Sequence, residues 1–286
     1  MTTTVKHFHS AMTGAPVLSG TAGSLIAVLD ACLVNGFGLK TADSVVVSGG
    51  IATATFSTGH SFEPDVIALV SGAAPSGLNG EKRVLTTSTN TITFDATGIA
   101  DGAATGTITF KLAPAGWAKP FAGTNLGAYR SNEVAGTRMF LRVDDAGGRN
   151  DRVLGYETMS DITSGSGEFP KSSQVAGGGY WPKSNQVDAT SRTWTLIADS
   201  RMVWLHLHTS TSSGGASGGV VGFGDFASYK SSDVYACGLW CYSSDYSAEQ
   251  VLPGRGAELI DPAGVEGVFL PRSFTGLGSA IDAVKC

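Results

Sequence analysis

Charged side chains are scarce in this sequence: Asp, Glu, Lys and Arg make up 15% of its 286 residues, and the formal net charge is −5. Binding a phosphate backbone takes clustered Lys and Arg, and no such cluster is present, so no nucleic-acid partner is expected. Long apolar runs are missing as well. Met1 to Ser24 holds no stretch of signal-peptide length, and the apolar text just beyond it, Leu25 to Leu29, is short. Neither a secretory signal nor a membrane span is expected, and the protein should be made in a cytoplasm. Four cysteines, Cys32, Cys237, Cys241 and Cys286, are too few to staple a chain of this length. Cys237 and Cys241 lie four apart in a strand-like segment, on one face but two pleats apart, which is out of easy disulfide reach. Buried free thiols are the expectation, rather than a zinc site. The phosphate loop, the H-E-x-x-H zinc motif and a dinucleotide fingerprint opening a helix are also lacking, which favours structure or binding over catalysis.

What the sequence has in quantity is glycine, 39 residues, set with Ser and Thr between short β-prone runs. With 42% hydrophobic residues the chain can build real cores. The runs are clearest within Ser44 to Trp117: Ser44–Val47, Ala52–Ser57, Val66–Val70, Lys82–Thr87, Thr91–Asp95 and Ala104–Leu112. Between the third and fourth, Pro75-Ser76-Gly77-Leu78-Asn79-Gly80 is a strong turn signal. Before this stretch, Met1 to Gly20 reads as an arm that docks through Val5, Phe8, Met12, Val17 and Leu18. Thr21 to Val34 reads as the one helix, with Ser24 as its cap and Gly36 as its stop. After it, Thr137–Val143 and Arg152–Thr158 read as a hairpin around a turn at Asp144–Asp151, and Thr193–Ala198 and Arg201–Thr209 as a second. Gly165–Gly179 reads as a long loop and Ser210–Gly219 as a flexible tip. Gly219–Phe226, Val234–Tyr242 and Val268-Phe269-Leu270 read as further strands.

The expected fold is therefore all-β with one short N-terminal helix, a small antiparallel β-sandwich or barrel module being inserted into or joined to a larger β-rich domain. The boundaries are 1–43 for the arm and helix, packing with the C-terminal domain, 44–117 for the small module and 118–286 for the larger domain.

The small module carries a resemblance. Gly59-His60-Ser61-Phe62 opens it, Gly72 to Gly80 holds the Pro and Asn-Gly turn, Val84-Leu85 and Thr91 to Phe94 follow as strands, and Ala104 to Thr109 closes it. This order resembles a β module recurrent in structural proteins of tailed bacteriophages and prophages. The resemblance implies a non-enzymatic component of the virion, tail or tail-tip associated, made in the host cytoplasm and working through contacts with copies of itself and other virion proteins. A capsid decoration protein and a carbohydrate-binding or carbohydrate-cleaving host-recognition protein are the alternatives. It offers no catalytic residues to transfer. Few charges and much neutral surface also favour a symmetric homo-oligomer, with no membrane partner.

Three constellations hold residues capable of chemistry. His7-Phe8-His9 and His206-Leu207-His208 would each project two imidazoles from one face of a strand, where a metal could bind. Asp144, Asp145, Asn150 and Asp151 gather oxygen ligands in one turn, without the spacing of the helix-flanked calcium loop. Asp199, Asp225 and Asp233 lie near strand ends and could pair as glycosidase carboxylates beside Trp181, Trp194, Trp204 and Trp240. In each case packing, turn-capping or a plain polar turn accounts for the residues as they stand. No catalytic, cofactor-binding or metal-ligating residue is assigned, and no cofactor is expected.

Overall fold

The computed structural model describes residues 4–211, 218–242 and 266–282. Met1, most of the Ser210–Gly219 tip, most of the tail after Tyr242 and Cys286 lie outside the described residues. Among the described residues the chain is mostly β, with one short α-helix, and its two curled antiparallel sheets form half-barrels, the all-β class that the strand-and-turn pattern predicts. Contacts divide it into two units. The smaller takes Ala11–Ala15 and Asn35–Pro114, and the larger takes the described residues up to Ser10, Pro16–Val34 and those from Ala115 on.

The larger unit begins with β1 (Lys6–His9), whose Phe8 is buried while His7 and His9 are half-exposed. The helix differs from expectation. Only α1 (Ser24–Leu29) is α-helical, and the chain continues as a π-helical turn over Asp30–Asn35. Leu25, Ile26, Val28, Leu29, Cys32 and Leu33 are all buried, so packing rather than propensity holds this segment. Ser24 is not the cap. Gly23, at φ 83°, takes that place, and the Ser24 hydroxyl donates to the Ser19 carbonyl at 2.8 Å. The free amide of Ile26 in the first turn instead donates to Asp145 Oδ2 at 2.9 Å, a cap supplied from far along the chain.

The smaller unit is an eight-stranded sheet. Its strands are β2 (Phe37–Thr41), β3 (Ser44–Ser48), β4 (Ile51–Thr55), β5 (Ile67–Ser71), β6 (Gly80–Thr87), β7 (Thr91–Asp95), β8 (Gly102–Ala103) and β9 (Thr109–Leu112), in the order β2-β9-β5-β6-β7-β4-β3-β8. Strict alternation builds its core: Val45 and Val47 point in from β3 while Val46 points out. Phe56, Phe62, Phe94 and Phe110 meet mostly edge to face at centroid distances of 5.4 to 6.4 Å. His60 joins them at 5.4 Å from Phe56, taking the Phe62 amide on Nδ1 and so presenting an Nε2 proton to the Thr91 carbonyl at 3.0 Å. The Gly-His-x-Phe opening is thus a packing device. At the turn, Asn79 keeps φ at −76° and its side-chain amide brackets both the N–H and the carbonyl of Ala73 at 2.8 Å, while Gly80 takes φ 95°. The expected strand Ala104–Leu112 is broken because the chain passes so close to Gly72 that a Cβ on Gly106 (φ 106°) would collide with the Gly72 carbonyl. β2 lies in a stretch that sequence assigned to the N-terminal segment, but it pairs with β9.

The larger unit continues with β10 (Trp117–Gly123), β11 (Leu126–Ser131), β12 (Phe140–Asp144), β13 (Asn150–Met159), β14 (Gly165–Phe169), β15 (Gly179–Pro182), β16 (Trp194–Ala198), β17 (Met202–His208), β18 (Gly218–Asp225), β19 (Cys237–Tyr242), β20 (Glu266–Leu270) and β21 (Ile281–Asp282). With β1 they make a thirteen-stranded sheet in the order β1-β16-β17-β18-β19-β15-β13-β12-β11-β10, with β14 on β13, β20 on β19 and β21 on β20. Both expected hairpins are present as β12/β13 and β16/β17. The expected Gly165–Gly179 loop contains a strand, since β14 pairs with β13 from Gly155↔Phe169 to Met159↔Gly165. One face packs Phe8, Leu196, Val203, Leu205, Leu207, Val221, Phe223 and Leu239, each at most 1% exposed. Cys32 and Cys237 are buried free thiols, and Cys241 is buried as well. No helix among the described residues is long and apolar enough to cross a membrane.

Candidate functional site

The other face of the same strands holds the tryptophans and histidines that sequence singles out. Antiparallel register aligns His9, Thr195, His206 and Val220 in one row across β1, β16, β17 and β18. The adjacent row runs His7, Ile197, Trp204, Gly222, Trp240 and Val268, from β1 to β20. Apart from the buried Gly222 these residues are partly or fully exposed, Ile197 at 45%, and neither row contains Asp, Glu, Lys or Arg. Both His-x-His pairs therefore face the same way, with His9 and His206 two strands apart. The His206 and His208 rings meet edge-on at 4.7 Å, and partial burial, then the neighbouring His208 charge, pushes the His206 imidazole pKa down. Among the described residues, no group of three or more His, Cys, Asp or Glu is placed to hold a metal ion.

The four tryptophans separate into two kinds. Trp181 and Trp194 are fully buried, their indole N–H groups donating to the carbonyls of Trp240 at 2.9 Å and Pro16 at 3.1 Å. Trp204 and Trp240 lie half-exposed on the outer face, centroids 4.7 Å apart and planes tilted by 53°. Glycines on the strands make the beds for these rings. A Cβ on Gly222 would come within 2.6 Å of Trp204 Cε3, and one on Gly238 within 2.7 Å of the Trp240 ring. Beside Trp204 a shallow pocket of about 130 Å³ is lined by Val5, Ile197, Ala198, Asp199 and Met202.

The carboxylates proposed for a paired site come together in part. Asp225 and Asp233 line one open pocket of about 270 Å³ with Arg201, while Asp199 lies outside its lining. Each serves local backbone. Asp199 Oδ1 accepts from the amides of Arg201 at 2.7 Å and Met202 at 2.8 Å, closing the β16/β17 corner. Asp225 accepts from the Thr137 amide at 2.9 Å and hydroxyl at 2.5 Å, and Asp233 from the Tyr235 amide at 2.9 Å and the Ser228 hydroxyl at 2.7 Å. Burial raises the Asp225 pKa, against the Thr137 hydrogen bonds and the Arg201 charge.

The Asp144–Asp151 turn is different from the oxygen cage that its composition offers to calcium. Asp144 is directed to the surface, taking the Ala146 amide at 3.2 Å. Asp145 and Asp151 turn inward, and the Lys183 ammonium sits between them, in contact with Asp145 Oδ1 and 2.9 Å from Asp151 Oδ1. All three side chains are fully buried. Lys183 also donates to the Thr21 carbonyl at 3.0 Å, and Asp145 caps α1 through Ile26. Burial, reinforced by the Asp145 charge, pushes the Asp151 carboxyl well above the usual carboxylate range. No backbone amide or hydroxyl donates to either Asp151 oxygen, which leaves Lys183 and Asp145 as its polar neighbours. Sequence reasoning found the two aspartates and missed Lys183, because nothing near Tyr180-Trp181-Pro182-Lys183 marks it as their partner.

No protein-family model, curated protein or solved structure matches this chain.

Proposed function

We propose that this protein is a non-enzymatic structural component of a tailed-phage particle, associated with the tail or tail tip, working through contacts made by its β-sheet faces. The observation that carries the reading is the outer face of β1, β16, β17, β18, β19 and β20, whose two central rows hold Ile197, Trp204, Trp240 and Val268 and no Asp, Glu, Lys or Arg. Half-exposed aromatic and aliphatic groups without charge are the composition of an interface core. Their natural partners are copies of the same chain, which present the same neutral rows, and other particle proteins of similar character. The phage assignment itself rests on the resemblance of the small unit. Mass spectrometry of density-purified particles from a host carrying the gene, with antibody labelling, tests it. Stoichiometric presence with label on the tail is expected. Label on the capsid surface would replace the tail assignment with decoration, and absence from purified particles would overturn the reading.

Trp204 and Trp240 also favour a second reading, a surface that recognises host carbohydrate by stacking sugar rings on indole. Their 53° tilt makes a wedge rather than a flat platform, which ranks this reading second. Glycan-array binding that disappears in Trp204→Ala would promote it.

A further inference from the structure

The Lys183 cluster has the components of a reaction on its own chain. An amine nitrogen touches a carboxyl oxygen of Asp145, one bond from an electrophilic carbon, inside a site with no solvent exposure. A third group, Asp151, lies 2.9 Å from the same nitrogen, and no backbone amide or hydroxyl donates to either of its oxygens. A buried carboxyl in a merely structural ion pair is normally saturated by donors, because leaving it unbonded costs stability. The Ile26 amide, 2.9 Å from Asp145 Oδ2, points a fixed donor at the atom where negative charge would build during attack on that carbon.

We propose that Lys183 Nζ and Asp145 Cγ condense to an intramolecular isopeptide bond, with Asp151 carrying the protons and the Ile26 N–H holding the oxyanion. The cluster starts with a lysine ammonium and one further proton shared by the two carboxyls. A nitrogen proton passes to the carboxyl pair, freeing the Nζ lone pair and leaving both acids neutral. Nζ attacks Cγ, and the carbonyl electron pair moves onto Oδ2 against the Ile26 N–H. Asp151 then relays a second nitrogen proton to the Oδ1 hydroxyl, the Cγ–Oδ1 bond breaks, and water leaves. Asp151 ends with the proton it began with, the amide keeps one N–H, and charge is zero before and after. No oxidant, reductant or second substrate enters. Burial assists by excluding the water that would reverse the step. The product replaces a buried ammonium and carboxylate by an amide, fixing the end of β12 to the chain just after β15 beneath the start of α1.

The inference does not rest on the particle assignment, and the purified full-length chain tests it alone. Intact mass measured under denaturing conditions should lie about 18 Da below the sequence mass, the loss of one water. Proteolysis should yield a branched peptide joining Asp145 to Lys183. Asp151→Asn, which keeps both joined groups, and Lys183→Arg should each show the full mass. A wild-type chain that keeps its full mass after days folded at neutral pH would overturn the proposal, as would a water loss mapped to any other residue. That measurement needs no variant to fold. An Asp151→Asn chain that still carries the branched peptide would overturn the role given to Asp151.

Discussion

The larger unit treats polar groups in two opposite ways, and the difference is instructive. On the outer face of its sheet, two rows crossing up to six strands carry three histidines, two tryptophans and no Asp, Glu, Lys or Arg. Beneath α1, three ionisable side chains of zero exposure are packed against one another. A chain with few charges has buried some of them where they fix the architecture and has kept these two outer rows free of Asp, Glu, Lys and Arg. Burying a charge is tolerated only with a partner, so the inner cluster is a committed structural device, whereas a neutral half-apolar face remains available for association.

The largest expected effect comes from breaking the inner member of this comparison. Lys183→Met leaves two carboxyls buried without their cation and unties the β12/β13 turn from Thr21, so stability should fall by about 3–5 kcal/mol. Loss of a cross-link closing the loop from residue 145 to residue 183 would by itself be worth about 4 kcal/mol in the chain-entropy account. Urea unfolding of the two proteins measures the difference, and a change under about 1 kcal/mol would mean that the cluster does not hold the fold.

Ile197→Asp tests the outer member. Ile197 is 45% exposed, so folding stability should change by no more than about 0.5 kcal/mol, while self-association should weaken at least tenfold, about 1.4 kcal/mol. Gly222→Ala sharpens the same point by tilting Trp204 off its bed. A stability loss of about 1 kcal/mol is expected from overpacking, and it should show by thermal melting together with an altered tryptophan fluorescence spectrum. Unchanged fluorescence would mean that the ring does not rest on the glycine.

The smallest effect concerns pH. The His206 pKa lies below its ordinary 6.5 in the folded chain, so the unfolded chain binds this proton more readily. Stability attributable to this residue is thus intact above about pH 6.5 and declines as pH falls below it. Replacing His206 by Gln should flatten that acid limb of the stability curve. A limb as steep as in the wild type would assign the dependence to other groups.

What sequence could and could not foretell follows from the range of the forces involved. Thr91–Asp95 was readable to the residue, and the β12/β13 and β16/β17 hairpins to within a few residues, because alternation and turn chemistry are local. Ser24 misled because a serine before an apolar run looks like a cap, whereas Gly23 holds the cap position and the Ile26 amide is satisfied by Asp145, 119 positions away. β14 was hidden by its Gly-Ser text, since its pairing depends on β13 rather than on its own propensity. β2 was hidden similarly, with Gly38 at φ 70° inside it and no clean alternation. At the candidate sites, sequence named His206, His208, Asp145, Asp151, Asp199, Asp225 and the four tryptophans, but had no means of sorting buried Trp181 and Trp194 from outward Trp204 and Trp240. Parity within a strand was visible. Which parity faces the core is decided by distant strands, and the same is true of Lys183 finding its two aspartates.

Sedimentation equilibrium of the purified wild-type chain and of Ile197→Asp at neutral pH tests most directly whether the neutral outer face is a contact surface. The account predicts a discrete symmetric oligomer for the wild type and a folded monomer for the variant. A wild-type chain that stays monomeric at high micromolar concentration, or an oligomer that Ile197→Asp leaves intact, would contradict it.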